Sequence, residues 1–230
     1  MDLGLYIAAS GMVAEQVRQD QLANNLSNSS TPGYKPSEST QHSFGELLLS
    51  NTASGQTVGT IDVGVQSGKA YTNLAPAGVH ETGAPLDFAI QGEGFFAVRT
   101  AQGVRYTRDG QFSVSASGTL TDSFGNDVLS QSGAPIQVGA ARTLPAGALG
   151  VFKVSAPQKQ GENLYTGNAA GRASGSVRSG ALEEAGVDPV SAMVQMMASL
   201  RTFQSGQQAI AAIGQTLQAA ATQVGSVSGS

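Results

Sequence analysis

The sequence predicts an α+β fold in which N- and C-terminal helices pair as a coiled-coil-like domain and a central all-β domain is inserted between them. Three observations predict it. Apolar residues recur at spacings of three and four near the start, turn signals recur about every ten residues through the middle, and a heptad pattern runs to the end.

Residues 3–28 read as the first helix. Leu5, Ala8, Ala9, Met12, Leu22, Ala23 and Leu26 keep the helical spacing, and glycine or proline interrupts only at Gly4 and Gly11. The run Ser27-Asn28-Ser29-Ser30-Thr31-Pro32-Gly33 ends it, because small polar side chains compete for backbone bonds and Pro-Gly enforces a turn. The seam Leu5, Met12, Gln19, Leu26 with Ala8, Glu15, Leu22 carries polar breaks at Gln19 and Glu15, which weaken an isolated coiled coil. The first division is therefore 1–33.

Residues 34–80 are rich in Ser, Thr and Gly with a short apolar run at 44–49, and read as an extended arm with little structure of its own. Residues 81–180 form the central β domain. Phe95, Phe96 and Val98 follow Gly94, and Asp109-Gly110, a strong hairpin signal, separates Val104 and Tyr106 from Phe112 and Val114. Further turns fall at Ser117-Gly118 and Gly125-Asn126.

The last division, 181–230, is the C-terminal helix. Asp188-Pro189 starts it, with Asp as N-cap and Pro at the first helical position. One seam series is Met193, Leu200, Gln207, Gly214 and Ala221; the other is Met196, Phe203, Ile210, Leu217 and Val224, all apolar. Residues 189–224 as a helix span about 54 Å, more than the ~45 Å diameter of a compact chain of this length. Arg201 is the one charged residue after Asp188, where a solvated helix shows charged pairs four residues apart. Neutral, small residues suit a helix packed on several sides. Pairing of the two termini, with further packing against other copies, is expected over a helix buried within one chain.

Composition narrows the function. The 230 residues hold 30 glycines, 8 prolines, no cysteine and no tryptophan, and only 12% are charged, about half the usual share. Without cysteine there is no disulfide, thiolate metal site or cysteine nucleophile. A net charge of −4 with scattered cations argues against nucleic acid. No stretch approaches a membrane span, and residues 3–13 lack the basic flank of a secretory signal.

Catalytic patterns are weak. Gly92-Glu93-Gly94-Phe95-Phe96-Ala97 matches a dinucleotide turn, but it leads into strand-forming residues and lacks the helix that holds a pyrophosphate, so the glycines read as a tight bend. His42 and His80 have no ligand partners nearby, and Glu183 with Glu184 reads as favourable charge before a helix N-terminus. Asn28-Ser29-Ser30 fits a glycosylation acceptor but is explained as a helix-ending cluster. No cofactor, metal or small-molecule substrate is expected.

Three motifs in order resemble the flagellar basal-body rod and hook proteins of bacteria, in particular the FlgF/FlgG rod type. The opening motif is Leu5-Tyr6-Ile7-Ala8-Ala9-Ser10-Gly11-Met12 with Ala23-Asn24-Asn25-Leu26-Ser27-Asn28 and Thr31-Pro32-Gly33-Tyr34-Lys35. The central one is Pro85-Leu86-Asp87-Phe88-Ala89-Ile90-Gln91-Gly92-Glu93-Gly94-Phe95-Phe96 with Tyr106-Thr107-Arg108-Asp109-Gly110. The last is Gly180-Ala181-Leu182-Glu183-Glu184, Val187-Asp188-Pro189-Val190 and Met193-Val194. The resemblance implies a non-enzymatic rod subunit, exported through the flagellar type III apparatus without a cleaved signal peptide. Its implied partners are other copies of itself and other rod and hook proteins. It implies an inner layer of terminal helices in which Leu5, Met12, Leu22 and Leu26 meet Met196, Phe203, Ile210 and Leu217, and an outer β layer. Gln19 stands where the family usually has an apolar residue, and 139–173 matches more weakly.

The rival class is a secreted glycan-binding or glycan-cleaving β domain on a helical dimerisation stalk. It requires an exposed aromatic platform or a carboxylate pair at one end of the β domain.

Overall fold

The computed structural model of the protein describes residues 2–50, 57–139, 143–161 and 163–227; side chains at 2, 44–63 and 223–227 lie outside the described set. In chain order the elements are α1 (Asp2–Ser27), β1 (Ser37–Glu38), β2 (Gln41–Ser50), β3 (Thr57–Ser67), β4 (Tyr71–Thr72), β5 (Val79–Glu81), β6 (Phe88–Gln91), β7 (Phe95–Thr100) and β8 (Gly103–Thr107). They continue with β9 (Ser113–Val114), β10 (Leu120–Thr121), β11 (Asp127–Leu129), a single 3-10 turn at Ala146–Ala148, β12 (Val151–Lys159), β13 (Leu164–Arg172), β14 (Ser176–Ser179), β15 (Ala181–Glu183) and α2 (Pro189–Val227). The fold is α+β, helical at both ends and β-rich between. No helix among the described residues is long and apolar enough to cross a membrane.

The chain divides into two compact units. The first comprises Met1–Asn24, Ser37–Tyr71 and Val190–Ser230, and so holds most of both helices with β2 and β3. α2 runs for 39 residues, about 58 Å, and begins at Pro189 as the Asp-Pro signal predicts. β2 and β3 pair antiparallel from Gln41↔Ser67 to Ser50↔Thr57. The segment read from sequence as having little structure of its own therefore carries a ten-residue and an eleven-residue strand. Thr57, Val58, Thr60, Ile61, Val63 and Val65 are β-branched; they suit a pleated ladder, and the abundance of small and polar residues around them conceals it.

The second unit comprises Asn25–Pro36 and Thr72–Pro189. Its main sheet has the order β12-β13-β8-β7-β11-β10-β9, and β12 also pairs with β7. The ladders β12–β13, β13–β8, β8–β7 and β7–β12 thus close on themselves, and β11, β10 and β9 extend from β7. β7 is buried on both faces by the period-two alternation of a strand. Phe96 and Val98 join a core with Phe88, Ile90, Phe112 and Leu120, whereas Phe95 and Ala97 join a second core with Tyr106, Leu129 and Tyr165.

The turns at Ser117-Gly118 and Gly125-Asn126 join β9 to β10 and β10 to β11, with φ of +80° at Gly118 and +84° at Gly125. Gly92 and Gly94, at φ +101° and +130°, make the bend from β6 to β7. Asp109-Gly110 departs from expectation and closes no hairpin. β8 pairs with β7 and β13, and β9 pairs with β10. The glycine is needed for close approach instead: Phe88 N–H donates to Gly110 O at 3.0 Å, and a Cβ on Gly110 would overlap the Phe88 carbonyl.

Candidate functional site on the helix faces and the buried charge cluster

Within the first unit, three contacts fix how α1 and α2 meet. Ser199 Oγ donates to Glu15 Oε2 at 2.5 Å, a Cβ on Gly206 would stand 2.8 Å from Met12 Cγ, and one on Gly4 would stand 3.5 Å from Ile213 Cδ1. As α2 advances the partner on α1 recedes, so the helices run in opposite directions. On α2 the covered positions are Ala192, Met196, Ser199, Phe203, Gly206, Ile210, Ile213 and Leu217. They repeat at four and three, which is a heptad stripe.

The residues of the sequence-derived seam fall on both faces of α2. Met196, Phe203, Ile210 and Leu217 lie on the covered face, and the side chain of Val224 lies outside the described residues. Met193 and Leu200 are 49% and 46% exposed, and Gln207, Gly214 and Ala221 are exposed as well. The covered row beside Met196 and Phe203 is Ala192, Ser199 and Gly206, one residue earlier. At Gly206 the missing side chain lets Met12 approach closely, and Ile213 continues the row.

On α1, Leu22 is buried and Leu5, Met12 and Leu26 are half-buried. The polar break at Glu15 is buried but satisfied, by Ser199 and by Gln41 Nε2 at 3.3 Å. Gln19 Nε2, the other break, has no partner among the described residues.

Apolar surface remains on both helices. On α2, Met193, Val194, Met197 and Leu200 are exposed, and on α1 so are Tyr6, Val13 and Val17. The α1 residues line a groove of about 590 Å³ with Ala9, Ser10, Ala14 and Val65 to Ser67.

The second unit contains a cluster that the sequence reading missed. Glu183, 1% exposed, lies 2.6 Å from Lys35 Nζ through Oε1 and 3.0 Å from Arg108 Nη1 through Oε2. Ala77 N–H also donates to Glu183 Oε1, Lys35 Nζ donates to Ala75 O, and Arg108 Nη2 donates to Gly92 O. The Arg108 guanidinium stands 5.4 Å from the Phe95 ring centre. Burial pulls the Lys35 ammonium below its usual range, against the hydrogen bond and charge of Glu183.

Local sequence explains how the parts arrive there. Gly33, at φ +65°, lets the Thr31-Pro32-Gly33 turn pass against the Arg108 carbonyl, and its N–H donates to Glu183 O at 2.8 Å. Tyr34 OH donates to Asn25 Oδ1 at 2.9 Å, a role for the buried Asn25 that the motif alone did not reveal. Lys159 Nζ donates to Lys35 O and lies 3.7 Å from the Tyr34 ring centre; burial lowers its pKa to about 8. Glu183 thus departs from the expected role of a free charge before a helix. It sits on β15, paired with Val79 of β5, and its carboxylate is taken up within the unit by Lys35, Arg108 and the Ala77 N–H. Partners 75 and 148 residues away leave no local periodicity to read.

Of the β unit's aromatics, Phe88, Phe95, Phe96, Tyr106, Phe112 and Tyr165 are buried in the two cores, while Phe124, at the turn between β10 and β11, is exposed.

Helical ends, a β-rich middle and charge used internally define the class of protein as α+β with helical termini. Known proteins narrow it. Residues 5–35 match the family model for flagella basal body rod proteins, 89–156 that for the flagellar hook protein FlgE/F/G D1 domain, and 178–223 that for the flagellar basal body rod FlgEFG protein C-terminal region. Among relatives, the flagellar basal-body rod protein FlgF of Mesorhizobium japonicum is 30% identical over 89% of this chain and 90% of its own. FlgG of Bacillus subtilis is 29% identical over 93% and 96%, and the flagellar hook-basal body complex protein FlhO of the same organism 30% over 97% and 99%. The chain belongs to the flagellar basal-body rod protein family, of the FlgF/FlgG type. Lys35, Arg108 and Glu183 fall one in each of the three matched segments.

Proposed function

We propose that this chain is a structural subunit of the bacterial flagellar basal-body rod, self-assembling helically through its terminal helices and transmitting torque from motor to hook. The observation that carries the reading is similarity over nearly the whole length of chain and relative, 89% and 90% for a named rod protein. The apolar faces left on α1 and α2 support it, because a helix in a multi-copy bundle needs more than one contact face. Stiffness follows from many packed helix contacts, since a close-packed interior compresses little.

The two helices pair as a coiled-coil-like layer, and the unit's work is mechanical and not catalytic. Its partners are other copies, neighbouring rod and hook proteins, and the flagellar type III export apparatus that delivers it. The divisions 1–33, 34–80, 81–180 and 181–230 serve as inner helix, arm, outer β domain and inner helix. The test is deletion of the gene followed by purification of basal bodies from the complemented strain. The chain is expected in the purified rod, and the deletion strain is expected to lack filaments and motility; a motile deletion strain whose basal bodies never contain the chain would overturn the reading.

A further inference from the structure

We infer that the segment from Gly180 to Gly186, which contains β15, is a strap that opens and closes as one element over the β cores, with Glu183 as its latch. The inference goes beyond the rod-subunit reading and does not depend on it.

Backbone hydrogen bonds hold the strap on both sides. On one side β15 pairs with β5 from Ala181↔Glu81 to Glu183↔Val79, and Glu184 N–H donates to Gly78 O at 2.8 Å. On the other, Gly33 N–H donates to Glu183 O and Gly186 N–H donates to Tyr34 O, both at 2.8 Å. The turn at 32–35 keeps side-chain bonds of its own, from Lys159 Nζ to Lys35 O and from Asn163 Nδ2 to Pro32 O. The strap, and not the turn, is therefore the moving part.

The cores do not need the strap. Among the described residues they draw their buried side chains from Phe88 to Ala173 and none from 180–186. Core ladders also join near neighbours in the chain, as at Thr100↔Gly103 of β7 and β8, whereas Glu183 meets Arg108 and Lys35 across 75 and 148 residues. Long closures cost more chain entropy than short ones, so this contact is the cheaper one to release.

Charge makes the release concerted. Glu183 is the one anion paired with both Lys35 and Arg108 among the described residues, and a half-closed strap would leave buried charge without a partner. Open, all three groups meet water; closed, all three are paired. Such a unit opens at a free energy below that of global unfolding. α2 begins at Pro189, shortly beyond the strap, so each opening lengthens the tether between the β cores and that helix.

Native-state hydrogen exchange of the full chain, followed amide by amide at low denaturant, tests this. The amides of Gly33, Ala77, Glu184 and Gly186 all donate across the strap. They are expected to exchange through one shared opening, at least about tenfold faster than the β7–β8 amides. Glu183→Gln is expected to speed all four together by about a hundredfold or more. Lys35→Met, which leaves Arg108 to pair the carboxylate, should speed them less, and it carries the test if Glu183→Gln does not fold. Protection equal to that of the β7–β8 ladder would overturn the inference, as would a variant that speeds only some of the four amides or none.

Discussion

Lys35 Nζ and Glu183 Oε1 lie 2.6 Å apart although 148 residues of chain separate them. With Arg108 they tie the turn after α1, the end of β8 and the strand before α2 into one buried cluster. Removing the shared anion strands two cations. Glu183→Gln is expected to cost about 3–5 kcal/mol, because an uncompensated buried charge is worse than a lost pair. Lys35→Met should cost less, since Arg108 still neutralises Glu183. Denaturant melts of the two variants check this ordering, and equal losses would contradict it.

Asp109 offers a pH test. Burial, helped by the charges of Asp122 and Asp87, lifts its carboxyl to about 6 against the opposing Gln111 backbone hydrogen bond. The folded state therefore holds the proton more tightly than the unfolded state does. Stability from this group is full below about pH 4 and is lost as pH rises to about 6. Asp109→Asn keeps an acceptor for the Gln111 N–H and should stabilise the protein by about 1–2 kcal/mol at neutral pH, less than the full shift implies because the group keeps some solvent contact. Thermal melts across pH should show the gain vanish near pH 4.

Three glycines separate close approach from mere flexibility. Gly110→Ala drives a methyl into the Phe88 backbone, which has no room to yield, and should cost about 3 kcal/mol or more. Gly206→Ala brings a methyl to 2.8 Å from Met12 Cγ, close to the root of that side chain and not at its flexible end, so the strain should outweigh the gain in helix propensity. Gly214→Ala meets nothing within 4 Å and should stabilise α2 by up to ~1 kcal/mol. Circular dichroism melts distinguish the three.

Phe203 and Leu200 separate the covered face of α2 from its exposed face. Phe203→Asp places a charge on the stripe that packs on α1, and should loosen the helix pair, leave the β unit folded and abolish incorporation into the rod. Leu200→Asp should leave the melting of the isolated chain unchanged yet lower incorporation and swimming speed. Hydrogen exchange of the helices, read beside motility-agar diameters, tests both.

Much of the frame was legible because its signals are local. Asp188-Pro189 places the start of α2, the polar run from Ser27 places the end of α1, and Ser117-Gly118 with Gly125-Asn126 places two turns. The row Met196, Phe203, Ile210, Leu217 was legible because every member is apolar. Its neighbour was not: of Ala192, Ser199, Gly206 and Ile213 only Ile213 is strongly apolar, so hydrophobic periodicity ranks that row below the one through Met193 and Leu200. Asp109-Gly110 misleads because the same dipeptide serves tight turns and close backbone crossings. The Lys35, Arg108 and Glu183 cluster depends on tertiary proximity alone, so no window of sequence contains it.

This chain is expected to build the rod with its helices innermost. An electron-microscopy map of isolated basal bodies, with the chain located by a tag in the exposed turn at Gly125, tests it most directly. α1 and α2 are expected in the inner wall of the rod, with the β unit outside them. A map in which the tagged chain is missing from the rod, or in which the β unit lines the channel, would contradict it.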